Sequence, residues 1–237
     1  MISNQLSFLT SSWFPSRCFI CRHLLHVDEQ SICQVCLQSL PRAHTAELTK
    51  LYILGALIDA DFVSALIFTD PVNTICYGLK YGDHPRLGGT MGHHVLGPFL
   101  VKHLKRAHRT SSTIVLIPMP ISKRRRFQRG YNQCYSISKG CQKALAKAEI
   151  HGVVLPLLKK EIHRKSQVNF SAIDRWSNIS NSLRVRKKKQ RIPKDALLVV
   201  IDDTVTTGSS LFHAGETLRT VSYSPLPTQQ TILKPLI

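Results

Sequence analysis

A chain of 237 residues has room for one full α/β domain plus a small module, and 43% hydrophobic content supplies a core. A formal net charge of +18 is extreme for that size. It points to anionic partners (polyphosphate ligands, nucleic acid or a membrane surface), because acidic side chains would serve solubility equally well. Seven cysteines, an odd number with four of them clustered, argue against a disulfide framework and for a reducing compartment, so the chain reads as cytoplasmic. Met1 to Trp13 carries neither a basic leader nor a sustained apolar run, and no signal peptide is expected. The most apolar long stretch, Leu51 to Phe68, contains Asp59 and Asp61, so no membrane span is expected.

The first pattern in chain order is a pair of CxxC knuckles, Cys18–Cys21 and Cys33–Cys36, with eleven residues between them. Each knuckle sets two sulfurs on one turn, and four thiolates complete a tetrahedral Zn²⁺ shell. The redox reading of CxxC requires a βαβ context that is missing here. Residues 1–44 therefore read as a four-cysteine zinc module, and residues 45–237 as the main domain. A structural zinc is expected on Cys18, Cys21, Cys33 and Cys36.

After a connector over residues 37 to 50, a strand is expected around Asp61 to Phe68. Asp70-Pro71 then opens a helix, with aspartate as cap and proline in the first turn. Val72, Ile75, Cys76 and Leu79 share its buried face. Lys80 is either an ordinary helix-end cation or a contact to a ligand phosphate. A second helix is expected from about Arg86 to His108. His84, His93 and His94 form no defensible metal pattern.

Thr113 to Pro120 reads as a buried strand stopped by two prolines. Lys123 to Arg129 places five cations in seven residues at that strand's carboxyl end. As a loop it suits a polyanion, with Arg125 and Arg129 as candidate phosphate ligands; the plainer alternative is a solvated basic loop. A helix follows, with Cys134, Ile137, Cys141, Ala144 and Leu145 on its apolar face. A third strand is expected over Gly152 to Leu158. Residues 159 to 194 carry twelve Lys or Arg against two acids. Their densest part, Arg184, Arg186, Lys187, Lys188, Lys189 and Arg191, is either a solvated run or a nucleic-acid contact. Trp176 alone makes no stacking platform.

Leu197 to Ile201 is an apolar run suited to a strand buried on both faces. Asp202 and Asp203 follow, then a small hydroxyl-rich turn from Thr204 to Ser210 containing Gly208, then an amphipathic helix through Leu218. Ligands of open α/β sheets bind beyond the strands' carboxyl ends, and helix N-termini present unpaired N–H groups to anions. The acids suit a neighbour that donates hydrogen bonds, such as ribose hydroxyls. Thr204, Thr206, Thr207, Gly208, Ser209 and Ser210 suit a 5-phosphate. The segment reads as a ribose-5-phosphate cradle; a plain strand–turn–helix corner with a solvated acidic pair is the alternative. A short strand near Thr231 closes the chain.

The apolar strand, double acid and Thr-Thr-Gly turn resemble the phosphoribosyl pyrophosphate (PRPP) motif of type I phosphoribosyltransferases. Other segments extend the likeness: the twin CxxC, Leu79 to Asp83, Pro118-Met-Pro120, Arg129 to Gln133, and Gln167 with Arg175 and Asn178. Their order is similar to the ComF/GntX-like family of competence-associated, phosphoribosyltransferase-like proteins, over nearly the whole chain. Tyr131 stands where phenylalanine is more usual, Ser210 where threonine is, and cationic residues precede Gln167. The resemblance implies a type I phosphoribosyltransferase-like parallel sheet flanked by helices. It implies PRPP or a related ester with Mg²⁺ chelated by pyrophosphate and ribose, and Asp202 and Asp203 holding the ribose hydroxyls. It further implies a role in handling transforming DNA, with single-stranded DNA or competence proteins as partners. An enzyme with an unknown acceptor, chosen by a hood between Leu51 and Gly82, and a non-catalytic DNA- or protein-binding factor are the two functional expectations.

Overall fold

The computed structural model describes residues 16–43, 61–62, 64–82, 84–106, 113–161, 182–186, 192–193, 195–205, 208–219 and 231–235. Two strands form its centre. β2 (Ile114–Pro118) and β6 (Leu197–Asp202) are buried at every position and pair in parallel, from Ile114 beside Leu197 to Pro118 beside Ile201. Continuous apolar runs are what such doubly covered strands require. β7 (Thr231–Pro235) pairs with β6, β1 (Asp61–Phe62) with β7, and β3 (Gly152–Val154) with β2, all parallel. The sheet order is β1-β7-β6-β2-β3.

Strand alternation divides the core in two. Ile114, Leu116, Leu197, Val199 and Ile201 face one cluster, which they share with Val72, Ile75 and Leu79. Val115, Ile117, Leu198 and Val200 face the other, with Leu211, Ala214 and Leu218. On the first side lie α2 (Asp70–Tyr81), α3 (Pro85–Met91) and α4 (Gly97–Arg106). On the second lies α7 (Ser209–Arg219). The expected helix from Arg86 to His108 is thus interrupted: residues Gly92–Leu96 form a π-helical turn between α3 and α4. α6 (Gln133–Lys147) buries Cys134, Ile137, Cys141, Ala144 and Leu145, the face expected from its periodicity.

Several expected elements differ. Lys123–Arg129 is a helix, α5, and not a loop. The Ser122 side chain accepts from Arg125 N, and Gly130 ends the helix at φ 72°. The strand expected over Gly152 to Leu158 is two: after β3 the chain turns, and β4 (Leu158–Lys160) pairs antiparallel with β5 (Leu183–Val185) in a separate two-stranded sheet. Of the strand expected over Asp61 to Phe68, β1 covers two residues, and Leu66 makes an isolated bridge to Arg42. The connector from residue 37 begins inside α1 (Gln34–Ser39). Among the described residues no helix is long and apolar enough to cross a membrane.

The topology selects one place for a ligand. From β2 the chain leaves toward β3 at one side of the sheet; from β6 it leaves toward β7 at the other. The connections part between β2 and β6, and such a switch point opens a crevice at the strands' carboxyl ends. Pro118 and Asp202 sit there.

Candidate ligand-binding site and cysteine cluster

The crevice is floored by the acidic pair. Asp202 and Asp203 are 8% and 6% exposed, so the solvated-pair alternative fails. Asp202 Oδ1 accepts from the Asp203 backbone N–H at 2.8 Å and from the Cys134 thiol at 3.4 Å. Asp203 Oδ2 accepts from Gln133 Nε2 at 3.2 Å and lies 3.5 Å from Lys80 Nζ. Burial, and then the neighbouring Asp203 charge, push the Asp202 carboxyl up to about 8. Burial beside both acids also holds the Cys134 thiol protonated, well above its usual range.

Local sequence explains how these groups meet. Asn132 caps α6 by accepting from Cys134 N at 3.0 Å, while its Nδ2 donates to Met119 O at the end of β2. The first turn of α6 is thereby held against the crevice, with Gln133 and Cys134 buried beneath the acids. From the other side, the end of α2 delivers Lys80, whose Nζ donates to Thr204 Oγ1 at 2.8 Å. Lys80 stands in the last turn of α2, as the helix-end reading has it, and it also clamps the acidic loop. Tyr131 OH donates to Leu79 O at 2.8 Å and ties α6's entry to α2. Gln133 and Cys134 are site neighbours that periodicity alone assigns to a helix face. The signal for them is the Asn132 cap, which fixes which way the first turn points.

Gly208 has φ 70°, a left-handed conformation that glycine adopts without strain, and Phe212 N bonds Gly208 O at 2.9 Å to start α7. Ser209 is buried and Ser210 and Thr204 are half-buried around that N-terminus. Thr206 and Thr207 lie outside the described residues, as do Asp83, Gln167, Arg175 and Asn178. Arg125 is exposed on α5, and its charge and that of Asp202 both act on the Lys160 ammonium. Arg129 instead stacks over the Tyr81 ring, 5.5 Å from its centroid. Of the basic run, Arg184 and Arg186 belong to β5 and its edge and bond main-chain oxygens of Leu183 and Leu158. Lys187, Lys188, Lys189 and Arg191 lie outside the described residues.

The four knuckle cysteines converge. Their sulfurs lie within 4.8 Å of one another, and Cys21 Sγ is 3.7 Å from Cys33 Sγ. A tetrahedral ion with Zn–S bonds of about 2.3 Å needs sulfurs about 3.8 Å apart, so the set fits a zinc-like ion. Left and right of the turns, Arg22 and Ser31 take positive φ, 64° and 63°, which folds the connector back. For Cys18, burial raises the thiol, but N–H groups from Cys33, Cys21 and Ile20 outweigh it and bring the group down to about 7. Burial and the neighbouring sulfurs drive Cys36 far up. One thiolate is tolerated and the next is opposed, which is the charge problem a bound cation removes. Cys18, Cys33 and Cys36 are buried in the same cluster as Ile75 and Leu79 of α2.

A search of family models returns no match. The chain is 26% identical over 219 residues to "Competence protein F" of Haemophilus influenzae, spanning 88% of this chain and 93% of that protein. It is 23% identical over 220 residues to "DNA utilization protein YhgH" of Salmonella typhimurium, spanning 86% and 91%. The Salmonella typhi protein of the same name matches at 23% over 223 residues. Similarity along nearly the full length of both chains supports a ComF-like family for this chain.

Proposed function

We propose that the crevice between β2 and β6 binds PRPP or a related phosphoribosyl ester, and that the cysteine cluster holds a structural Zn²⁺. The observation that carries the first reading is a buried acidic pair at a topological switch point, with a left-handed glycine at Gly208 and a helix N-terminus at Ser209 after the hydroxyl-rich turn. Ribose hydroxyls donate to Asp202 and Asp203. Gln133 Oε1, buried and without a hydrogen-bond partner, is a further acceptor beside them. The 5-phosphate takes the N–H groups and hydroxyls of Thr204 and of Thr206 through Ser210. Arg125, whose charge acts on Lys160 together with that of Asp202, is the cation offered to the pyrophosphate, whose charge it would stabilise.

The acids suit hydroxyls better than a directly bound metal. Asp203 Oδ2 is held by Gln133 and Lys80, and the third group near the pair is a thiol, a poor partner for a hard cation. Mg²⁺ would therefore arrive chelated by the ligand's own pyrophosphate and ribose oxygens, and it would supply charge neutralisation there. Calorimetric titration of the full chain with PRPP and Mg²⁺ tests the reading. Asp202→Asn with Asp203→Asn should weaken binding by about 2–4 kcal/mol, since hydrogen bonds to charged groups contribute about 1.5–3 each and are not additive. Unchanged affinity with a native circular dichroism spectrum means that the cradle binds something else.

A second reading is favoured by the net charge of +18 and by the competence and DNA-utilization names of the relatives. In it, the chain works in handling transforming DNA and binds single strands or competence proteins, with or without phosphoribosyl transfer. The two readings are compatible. Pyrophosphate release from PRPP in the presence of single-stranded DNA separates turnover from binding alone.

A further inference from the structure

The sequence offered one tryptophan near its basic run and no stacking platform. The fold supplies aromatic surface elsewhere. Tyr77 and Tyr81, four apart on α2, are 65% and 68% exposed, and their rings lie 5.0 Å apart. Buried Val72, Ile75, Cys76 and Leu79 occupy the opposite face of that helix, so among the described residues the packing of α2 gives no reason for two bare tyrosines. Arg129 of α5 covers the Tyr81 ring.

α5 connects this surface to the cradle. It carries five cations and no acid between Lys123 and Arg129, and buries none of its residues. Arg125 and Arg129 are one helical turn apart, and therefore on one face. Arg125 acts on Lys160, which also feels Asp202, while Arg129 reaches Tyr81. Lys80, next to Tyr81 in sequence, reaches into the crevice at Thr204. Cations in a row, interleaved with exposed aromatic faces, are the pattern that binds unpaired nucleotides: phosphates meet the arginines and bases stack on the rings. A duplex cannot use the rings, since its bases are already stacked on one another.

We propose that Tyr77 and Tyr81 of α2, with Arg125 and Arg129 of α5, form a single-stranded nucleic-acid track beside the acidic cradle. The proposal rests on the nucleic-acid reading above, and it gives that reading a site independent of the 187–191 run.

Fluorescence anisotropy on the full chain tests it with two labelled probes: a 15-nucleotide oligodeoxythymidylate, and an abasic oligomer of the same length that offers phosphates without bases. Tyr77→Ala with Tyr81→Ala should weaken the thymidylate about ten- to a hundredfold and leave the abasic oligomer unchanged. Tyr77→Trp with Tyr81→Trp should retain thymidylate binding. Arg125→Ala with Arg129→Ala should weaken both probes, and make the log–log salt slope shallower by about 1.4, at about 0.7 per phosphate contact. A wild-type protein that binds neither probe overturns the track and the nucleic-acid reading together. Wild-type binding that survives the tyrosine changes, or an equal loss for the abasic oligomer, overturns the track alone and moves the contact to Lys187, Lys188 and Lys189. Phosphoribosyl binding is measured separately, by the calorimetry of the cradle variants, so its failure leaves this outcome readable.

Discussion

Replacing Asp202 by Asn tests the electrostatics of the cradle without disturbing its shape. The amide has the size of the carboxyl and is neutral. Its Oδ1 keeps the two bonds that matter, from Asp203 N at 2.8 Å and from the Cys134 thiol at 3.4 Å. The wild-type carboxyl is pushed up to about 8 by burial and by Asp203, against an ordinary value of 3.8. Between those two values the folded chain holds a proton that the unfolded chain has released. Folding stability from this group is therefore fully present below about pH 4 and is lost as pH rises toward 8. One such proton changes stability by at most about 1.4 kcal/mol per pH unit. Between pH 5 and pH 7 the wild type should lose up to about 3 kcal/mol relative to Asp202→Asn.

The measurement is urea unfolding of both proteins from pH 5 to pH 8.5, with the two stability curves subtracted. Subtraction removes contributions common to both, including Glu29, whose carboxyl is held low by N–H groups of Gln34 and His26 and acts in the opposite direction. A difference that grows with pH supports the buried neutral acid. Parallel curves would refute it, and would mean that Asp202 is ionised and solvated. The same proton should appear in ligand binding. Hydroxyl donors favour the carboxylate, so PRPP titrated in two buffers of different ionisation enthalpy should show proton release near pH 7 in the wild type and none in the variant.

Two further outcomes concern the cysteine cluster and the Lys80 clamp. Metal analysis of the purified chain should find one Zn²⁺, and a chelator should lower its thermal midpoint sharply, since structural zinc contributes on the order of 10 kcal/mol in small metal domains; no zinc, with all four thiols freely titratable, removes the claim. Lys80→Met should cost the ligand-free protein about 1–3 kcal/mol in urea unfolding, because Asp203 keeps its charge in a buried place and loses the cation; an unchanged midpoint means the clamp carries no energy.

Much of this was legible in residue order. The buried strands at Ile114 and Leu197, the proline-marked start of α2 and the apolar face of α6 follow from runs and spacings that leave little choice, although Asp70 is the first residue of α2 and not its cap: Thr69 holds that place, and no side chain caps the helix. The acidic pair and the glycine turn were placed by the rule that ligands gather at strand ends. The misread parts share a cause. Lys123 to Arg129 has no apolar face, so its helix leaves no periodic trace; it is set by the Ser122 cap and the Gly130 stop, two single residues. The division of Gly152 to Leu158 is likewise silent in sequence, because apolar residues continue through it; the partner of β4 is β5, over twenty residues away. Lys80, Gln133 and Cys134 reach the acids only through tertiary packing. No spacing in the chain announces a contact between residue 80 and residue 204.

The cysteine module and the cradle are also less separate than their sequence signatures. Gly78 lies in the last turns of α2, two residues before Lys80, and a Cβ added there would sit 2.3 Å from Phe19 Cζ and 3.1 Å from Leu87 Cδ2. Phe19 belongs to the first knuckle, and its N–H bonds Ser31 O at 2.7 Å, so it is held in place by the folded module. An ordinary helical glycine would gain about 1 kcal/mol on becoming alanine. Here the sign should reverse: Gly78→Ala should cost about 1–3 kcal/mol, the usual range for overpacking. Adding Phe19→Leu should recover part of the loss, because the shorter side chain makes room for the methyl group. Urea unfolding of the two single variants and the double variant gives the coupling. A stabilising Gly78→Ala, or a double variant whose losses simply add, would mean that the module does not bear on α2. Reversal with recovery would mean that the knuckle sets the position of the helix that delivers Lys80 to the acidic loop.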